Sequence, residues 1–357
     1  MPAWLAIAME DPVLRWALYV VAALTVVTLL TMVQVLVLAE LGARRLARRR
    51  AFDDVWRPRL AEATLHNAPP SWTAPAADER LWFLLLWCRT QRKLRGQAHA
   101  RLNRLLVDYG LHRAALDLLG RRQIHLRLVA LAVLRQVGGP ESWDGVAHFL
   151  QHRNPLLALA AAEVLVTIDP HRAMAEVLPV VVVRRDWTPQ RISALCQLAG
   201  RTAVSSPLLA ALRAASPEQV HRLATLAQWG DPARMAGWAR AALGTSPDPR
   251  VRQAGLQVLG DLRDDVDRPV LEAALADPEA DVRLAALKAL RKQAAPAGRE
   301  TLRALLTDLS WAVRQEAADA IAAQPTLDRI ALEQFLDTVE DRYGQDALRR
   351  AIEERHP

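Results

Sequence analysis

Three Val-Arg pairs, Val251-Arg252, Val282-Arg283 and Val313-Arg314, are separated by two equal steps of 31 residues. Each pair opens an apolar stripe at helical spacing that closes on Leu259, Leu290 or Ile321. A repeat of this length is a helical hairpin. It cannot bury its own apolar face, so such units must stack on one another. The chain is therefore expected to be all-α and to grow by addition of layers.

The clearest unit lies between Arg263 and Ala294. Asp267-Arg268-Pro269 opens a first helix with Leu271 and Leu275 on its apolar side. Asp277-Pro278 stops it, because proline lacks an amide donor and disfavours helix in the residue before it. Asp281 is placed to cap a second helix carrying Val282, Ala285, Ala286, Ala289 and Leu290. Related spacings recur at Leu126-Arg127, Leu157, Gln190-Arg191 and Val220, giving about seven hairpins, the central two degenerate.

The run from Asp277-Pro278 through Val282-Arg283, Ala285-Ala286 and Ala289-Leu290 resembles the HEAT-repeat family. The resemblance implies a right-handed HEAT-like α-solenoid over residues 79–357, closed by a C-terminal hairpin. It also implies a ladder of turn aspartates and second-helix arginines: Asp277 with Arg283, Asp308 with Arg314, and Arg252 beside Ser246, where a hydroxyl replaces the carboxylate. The function it implies is protein–protein interaction, with no cofactor. Two enzymatic branches of the same superfamily, phycobilin lyases and DNA glycosylases, are the rival expectations.

Ahead of the repeats, Trp16 to Ala39 holds no charged residue. Those 24 positions make roughly 36 Å of helix, enough to cross a hydrocarbon core of about 30 Å. No basic n-region or Ala-x-Ala cleavage site accompanies the run, so an uncleaved anchor over 13–41 is expected. Arg44, Arg45, Arg48, Arg49 and Arg50 follow it, while Glu10 and Asp11 precede it. The positive-inside rule then puts residues 1–12 outside and the repeats in the cytoplasm, as a single-pass inner (plasma) membrane protein. The same arginines can meet anionic lipid headgroups.

Thr25, Thr28, Thr31 and Gln34 mark one side of the span as a packing face for another transmembrane helix, from a different protein or a second copy. Residues 42–78 read as a basic juxtamembrane helix and a proline-punctuated linker, Ala68 to Pro75. Leu81 to Cys88, too short to span, is expected as a buried helix. The alternative sets Trp82 and Trp87 in the membrane interface.

The 357 residues carry a net charge of +7. About +3 of it falls within residues 1–50, so the repeats lack the concentrated basic footprint of a nucleic-acid binder. Cys88 and Cys196 both sit in apolar runs and are read as buried thiols. No phosphate loop, dinucleotide fingerprint or nucleophile elbow occurs. His148 and His152 have the spacing of metal ligands on a helix, but no third ligand accompanies them. The expectation is a non-enzymatic, metal-free scaffold, an accessory subunit of an inner-membrane assembly, with an integral membrane protein as partner.

Overall fold

The computed structural model describes residues 12–65, 72–293 and 297–355, and every regular element among them is helical. They divide into two compact units, Met1–Ala114 and Ala115–Pro357. The expected outside segment and much of the proline linker lie outside the described residues. The contact boundary falls at Ala114, later in the chain than that linker, so the helices up to Asp108 group with the N-terminal helix.

In the first unit, α1 (Pro12–Leu65) is a single 54-residue helix, continuous through the expected join between anchor and juxtamembrane helix. At 1.5 Å per residue it is about 80 Å long. Its C-terminal part buries Phe52, Trp56, Leu60 and Ala63, whose spacings of three and four residues place them on one stripe. The stripe packs on α2 (Arg80–Gln91) and α3 (Gln97–Asp108). Trp56 meets Phe83 and Trp72 edge-on, with ring centroids 5.1 and 5.2 Å apart. Trp87 is fully buried and its indole N–H donates to the Leu102 carbonyl at 3.0 Å, so the interfacial alternative does not hold for this residue. Pro58 sits on the exposed side of α1, where the carbonyl it leaves unbonded can reach water.

After α4 (Leu111–Leu119), the second unit runs through α5 (Ile124–Val137), α6 (Trp143–Ala147), α7 (Pro155–Ile168), α8 (Pro170–Val183) and α9 (Pro189–Ala199). It continues with α10 (Arg201–Ala214), α11 (Pro217–Ala224), α12 (Pro232–Thr245), α13 (Pro249–Leu262) and α14 (Arg268–Ala273). The last helices are α15 (Ala280–Arg291), α16 (Arg299–Leu305), α17 (Trp311–Ala322), α18 (Arg329–Asp337) and α19 (Arg342–Arg355).

Helix starts are written locally. Asn154, Asp169, Asp231 and Asp248 each accept backbone N–H groups of the helix that follows, and each is followed by proline at the first helical position. A carboxylate or amide cap satisfies donors the helix cannot, and proline there has no donor to lose. The Asp281 expectation is corrected: α15 begins at Ala280, so Asp281 lies inside its first turn, and Asp277 accepts the Glu279 N–H instead.

Second helices of neighbouring hairpins pack on one another, α5 on α7 and, later in the chain, α13 on α15, α15 on α17 and α17 on α19. Their contact faces hold Val251, Val282 and Val313 at equal steps, and the fourth step is Gly344. A Cβ there would come within 2.7 Å of the Leu306 carbonyl oxygen. Leu348 and Ile352 occupy the places of Ala317 and Ile321. The C-terminal hairpin thus continues the 31-residue period.

Candidate functional site

The turns between first and second helices carry the most organised polar geometry of the second unit. Arg283 donates from Nε and Nη2 to the two carboxylate oxygens of Asp308, at 2.7 and 2.9 Å. Its Nη1 donates to the carbonyls of Asp277 and Pro278. Arg252 repeats the arrangement, with its fork on Asp277 at 2.8 and 2.9 Å and its Nη1 on the carbonyls of Ser246 and Pro247.

The register differs from the one the resemblance implied. Each arginine takes only backbone oxygens from its own turn, six residues back. Its carboxylate comes from the next turn, 25 residues on. The substitution at Ser246 is therefore harmless to Arg252, which uses the carbonyl of that residue and not its side chain.

These pairs are mostly removed from water, Arg283 and Asp308 being 15% and 6% exposed in their side chains. Burial pushes the Asp277 and Asp308 carboxyls up. The guanidinium fork, a backbone N–H and the neighbouring positive charges outweigh it, so both stay below the usual carboxylate range. The fork hydrogen bonds in turn raise Arg252 and Arg283.

Arg314 ends the series differently. Its Nη1 donates to the carbonyls of Asp308 and Leu309, as its predecessors do. The residue 25 positions on is Val339. Among the described residues its Nε is buried without a partner, and the centroid of the Tyr343 ring lies 5.3 Å from the guanidinium carbon.

Toward the start of the unit the pattern degrades in a readable way. His152 stands at the ladder-carboxylate position and its Nδ1 accepts the Asn154 N–H, as Asp308 accepts that of Ser310. Ala158 replaces the arginine of that repeat, and Arg184 reaches the Leu150 and His152 carbonyls while forking onto Asp186. Sequence reading missed Arg184, and also the bidentate pair of Arg240 with buried Asp267. Neither follows the 31-residue frame, so no periodic signal could reveal them. Lys292 with Asp261, and Arg350 with Asp319, do follow it and link adjacent second helices across one full repeat.

In the first unit, α1 exposes its apolar side chains from Val20 to Leu38, each by more than half. Among the described residues one helix is long and apolar enough to cross a membrane, and its apolar window is wholly unburied. Thr25, Thr28 and Thr31 donate their hydroxyls to carbonyls of the same helix, at 2.8, 2.7 and 2.9 Å. Gln34 makes no such bond among the described residues. Of the arginines beyond, Arg44 pairs with Glu40 and Arg48 with Asp78. Arg45, Arg49 and Arg50 form no ion pair among the described residues.

Among the described residues no three His, Cys, Asp or Glu side chains are placed to hold a metal ion. Desolvation lifts the Cys196 thiol to about 12; Cys88, desolvated too but opposed by Arg92, rises to about 11. Such thiols are poor nucleophiles.

Residues 205–291 and 268–354 each match the HEAT repeats family. The span extends into the C-terminal hairpin, in agreement with the period seen at Gly344. No curated protein matches the chain in sequence. Among solved structures, an engineered protein aligns with 82% of this chain and 87% of its own at 16% identity, with a TM-score of 0.34. Human deoxyhypusine hydroxylase in complex with glycerol aligns over 78% and 98% at 20% identity, with a TM-score of 0.29. A designed armadillo repeat protein aligns over 84% and 99% at 16% identity, with a TM-score of 0.21.

Proposed function

We propose that this chain, a member of the HEAT-repeat superfamily, is a non-enzymatic scaffold held at a membrane by its N-terminal helix. One observation carries the reading: the wholly exposed apolar stretch of α1 between Val20 and Leu38. Water-soluble monomers rarely leave so large a continuous apolar surface uncovered, and lipid covers it without further assumption. In this reading residues 13–41 span the bilayer of a bacterial inner membrane, with residues 1–12 outside. Residues 42–78 are the basic juxtamembrane part, and Arg45, Arg49 and Arg50 meet anionic headgroups.

Seven hairpins and a closing C-terminal one then present a protein-binding surface in the cytoplasm. Tethering raises the effective concentration of that surface toward any partner in the same membrane. The partner class is an integral membrane protein, and Gln34, whose amide is costly in hydrocarbon, is a contact for its helix or for that of a second copy.

The test is carbonate extraction followed by mild-detergent purification, comparing the full chain with one lacking residues 1–41. The full chain should remain in the membrane pellet and retain an integral membrane protein, and the shortened chain should be soluble. Release of the full chain by carbonate would end the anchored reading.

A further inference from the structure

Arg252 and Arg283 show what the guanidinium in this setting binds. In both, Nη1 is fixed by two backbone carbonyls, and the Nε–Nη2 edge is filled by a bidentate carboxylate from the next turn. Arg314 has the same Nη1 anchorage, through Asp308 and Leu309. Its edge is positioned by the same backbone but receives no carboxylate among the described residues, where Val339 occupies the register position of Asp277 and Asp308. Its Nε is a buried donor without an acceptor. A buried unpaired donor is costly, and a charge-assisted fork is among the stronger hydrogen-bonding groups a protein can offer.

The surroundings are those of a binding surface. Leu309, whose carbonyl holds Arg314, is 98% exposed, and Trp311 and Tyr343 are each 67% exposed. Tryptophan and tyrosine beside an arginine have the composition of an interface hot spot. The Tyr343 ring covers the guanidinium. Tyr343 is itself exposed, and the cation–π contact it would give up by rotating away is weak at such a site.

We infer that the Nε–Nη2 edge of Arg314 is a docking point for a carboxylate, presented by an acidic and apolar segment of a partner protein. The carboxylate completes the ladder from outside the chain, and its apolar neighbours cover Leu309, Trp311 and Tyr343. The inference rests on the scaffold reading and names the chemistry that the scaffold selects.

The experiment pans a random-peptide display library against the full chain in detergent. Affinities of the recovered peptides are then measured for the wild type and for Arg314→Gln, Arg314→Lys, Tyr343→Ala and Val339→Asp. Recovered peptides should carry Asp, Glu or a free C-terminus beside an apolar residue. They should bind Arg314→Gln roughly tenfold more weakly or worse, and Arg314→Lys, which keeps the charge but not the fork, should not restore them. Val339→Asp supplies the missing carboxylate from within and should block binding. Tyr343→Ala changes only an exposed side chain, so it keeps the test valid if Val339→Asp fails to fold. It should weaken the same peptides.

Peptides without a carboxylate, or equal binding to wild type and Arg314→Gln, would overturn the inference, as would recovery of no peptide. Membrane retention and the co-purified protein are scored separately. A partner still held by Arg314→Gln sinks the docking site and leaves the scaffold standing, whereas carbonate release of the full chain sinks the scaffold itself.

Discussion

Arg283 and Asp308, 25 residues apart in sequence, meet through two parallel hydrogen bonds of 2.7 and 2.9 Å. The pair joins one repeat to the turn of the next, so its loss loosens an interface between layers and leaves each hairpin intact. Repeat arrays derive their cooperativity from such nearest-neighbour terms. Asp308→Asn leaves a mostly buried guanidinium without its counter-charge and should cost about 2–5 kcal/mol. A lowered thermal midpoint, with faster amide exchange in α15 and α17, is the expected result. An unchanged midpoint would mean that hydration replaces the carboxylate.

The same carboxylates set a pH dependence. Asp277 and Asp308 are held below the usual carboxylate range when folded, so their contribution is complete above the unfolded value of about 3.9. It is lost as pH falls through their folded values. The difference in thermal midpoint between wild type and the Asp277→Asn, Asp308→Asn double variant should be constant from pH 8 to about 5. It should shrink on further acidification. A difference that instead shrinks between pH 8 and 6 would point to another group.

Gly260 brings α13 against α15. A Cβ there would lie 2.8 Å from the Ala289 Cα and 2.9 Å from its Cβ, both in a packed helix that cannot yield locally. Gly260→Ala should destabilise by about 1–3 kcal/mol, the overpacking term exceeding the gain in helix propensity. Gly237, exposed within α12 and with nothing within 4 Å of a built Cβ, is the control. Gly237→Ala should stabilise by about 0.5–1 kcal/mol. Chemical denaturation of the two variants side by side checks both signs.

Within the apolar stretch, the threonines and Gln34 separate. Thr28 already spends its hydroxyl on the Leu24 carbonyl, so Thr28→Leu should leave helix association unchanged. Gln34→Leu should reduce it several-fold, since an amide pair in hydrocarbon contributes roughly 1 kcal/mol. A two-hybrid assay of membrane-helix association measures both, and equal loss in the two variants would contradict the assignment to Gln34.

Cys88 and Cys196, pushed up to about 11 and about 12, should resist alkylation of the folded chain at pH 8. Both should react within minutes in denaturant. Fast labelling of either thiol in the native protein would show that its helix opens locally.

The sequence by itself determined the class of fold and the place of its elements. Val251, Val282 and Val313 set the period because stacked second helices need the same apolar face at the same height. Asn154-Pro155, Asp169-Pro170, Asp231-Pro232 and Asp248-Pro249 start helices through caps that act within a few residues. Whatever is encoded in a single turn, or repeated at constant spacing, is legible in one dimension. The tertiary structure decided the rest. The carboxylate partners of Arg252 and Arg283 come from the following turn, because stacking sets that turn against the guanidinium fork. Gly344 continues the period where Val would clash, since α19 lies against the Leu306 carbonyl. Trp56, on the stripe near the C-terminal end of α1, is buried only because α2 and α3 fold back onto it. Each of these depends on which surfaces meet, and that is fixed by three-dimensional packing rather than by local residue pattern.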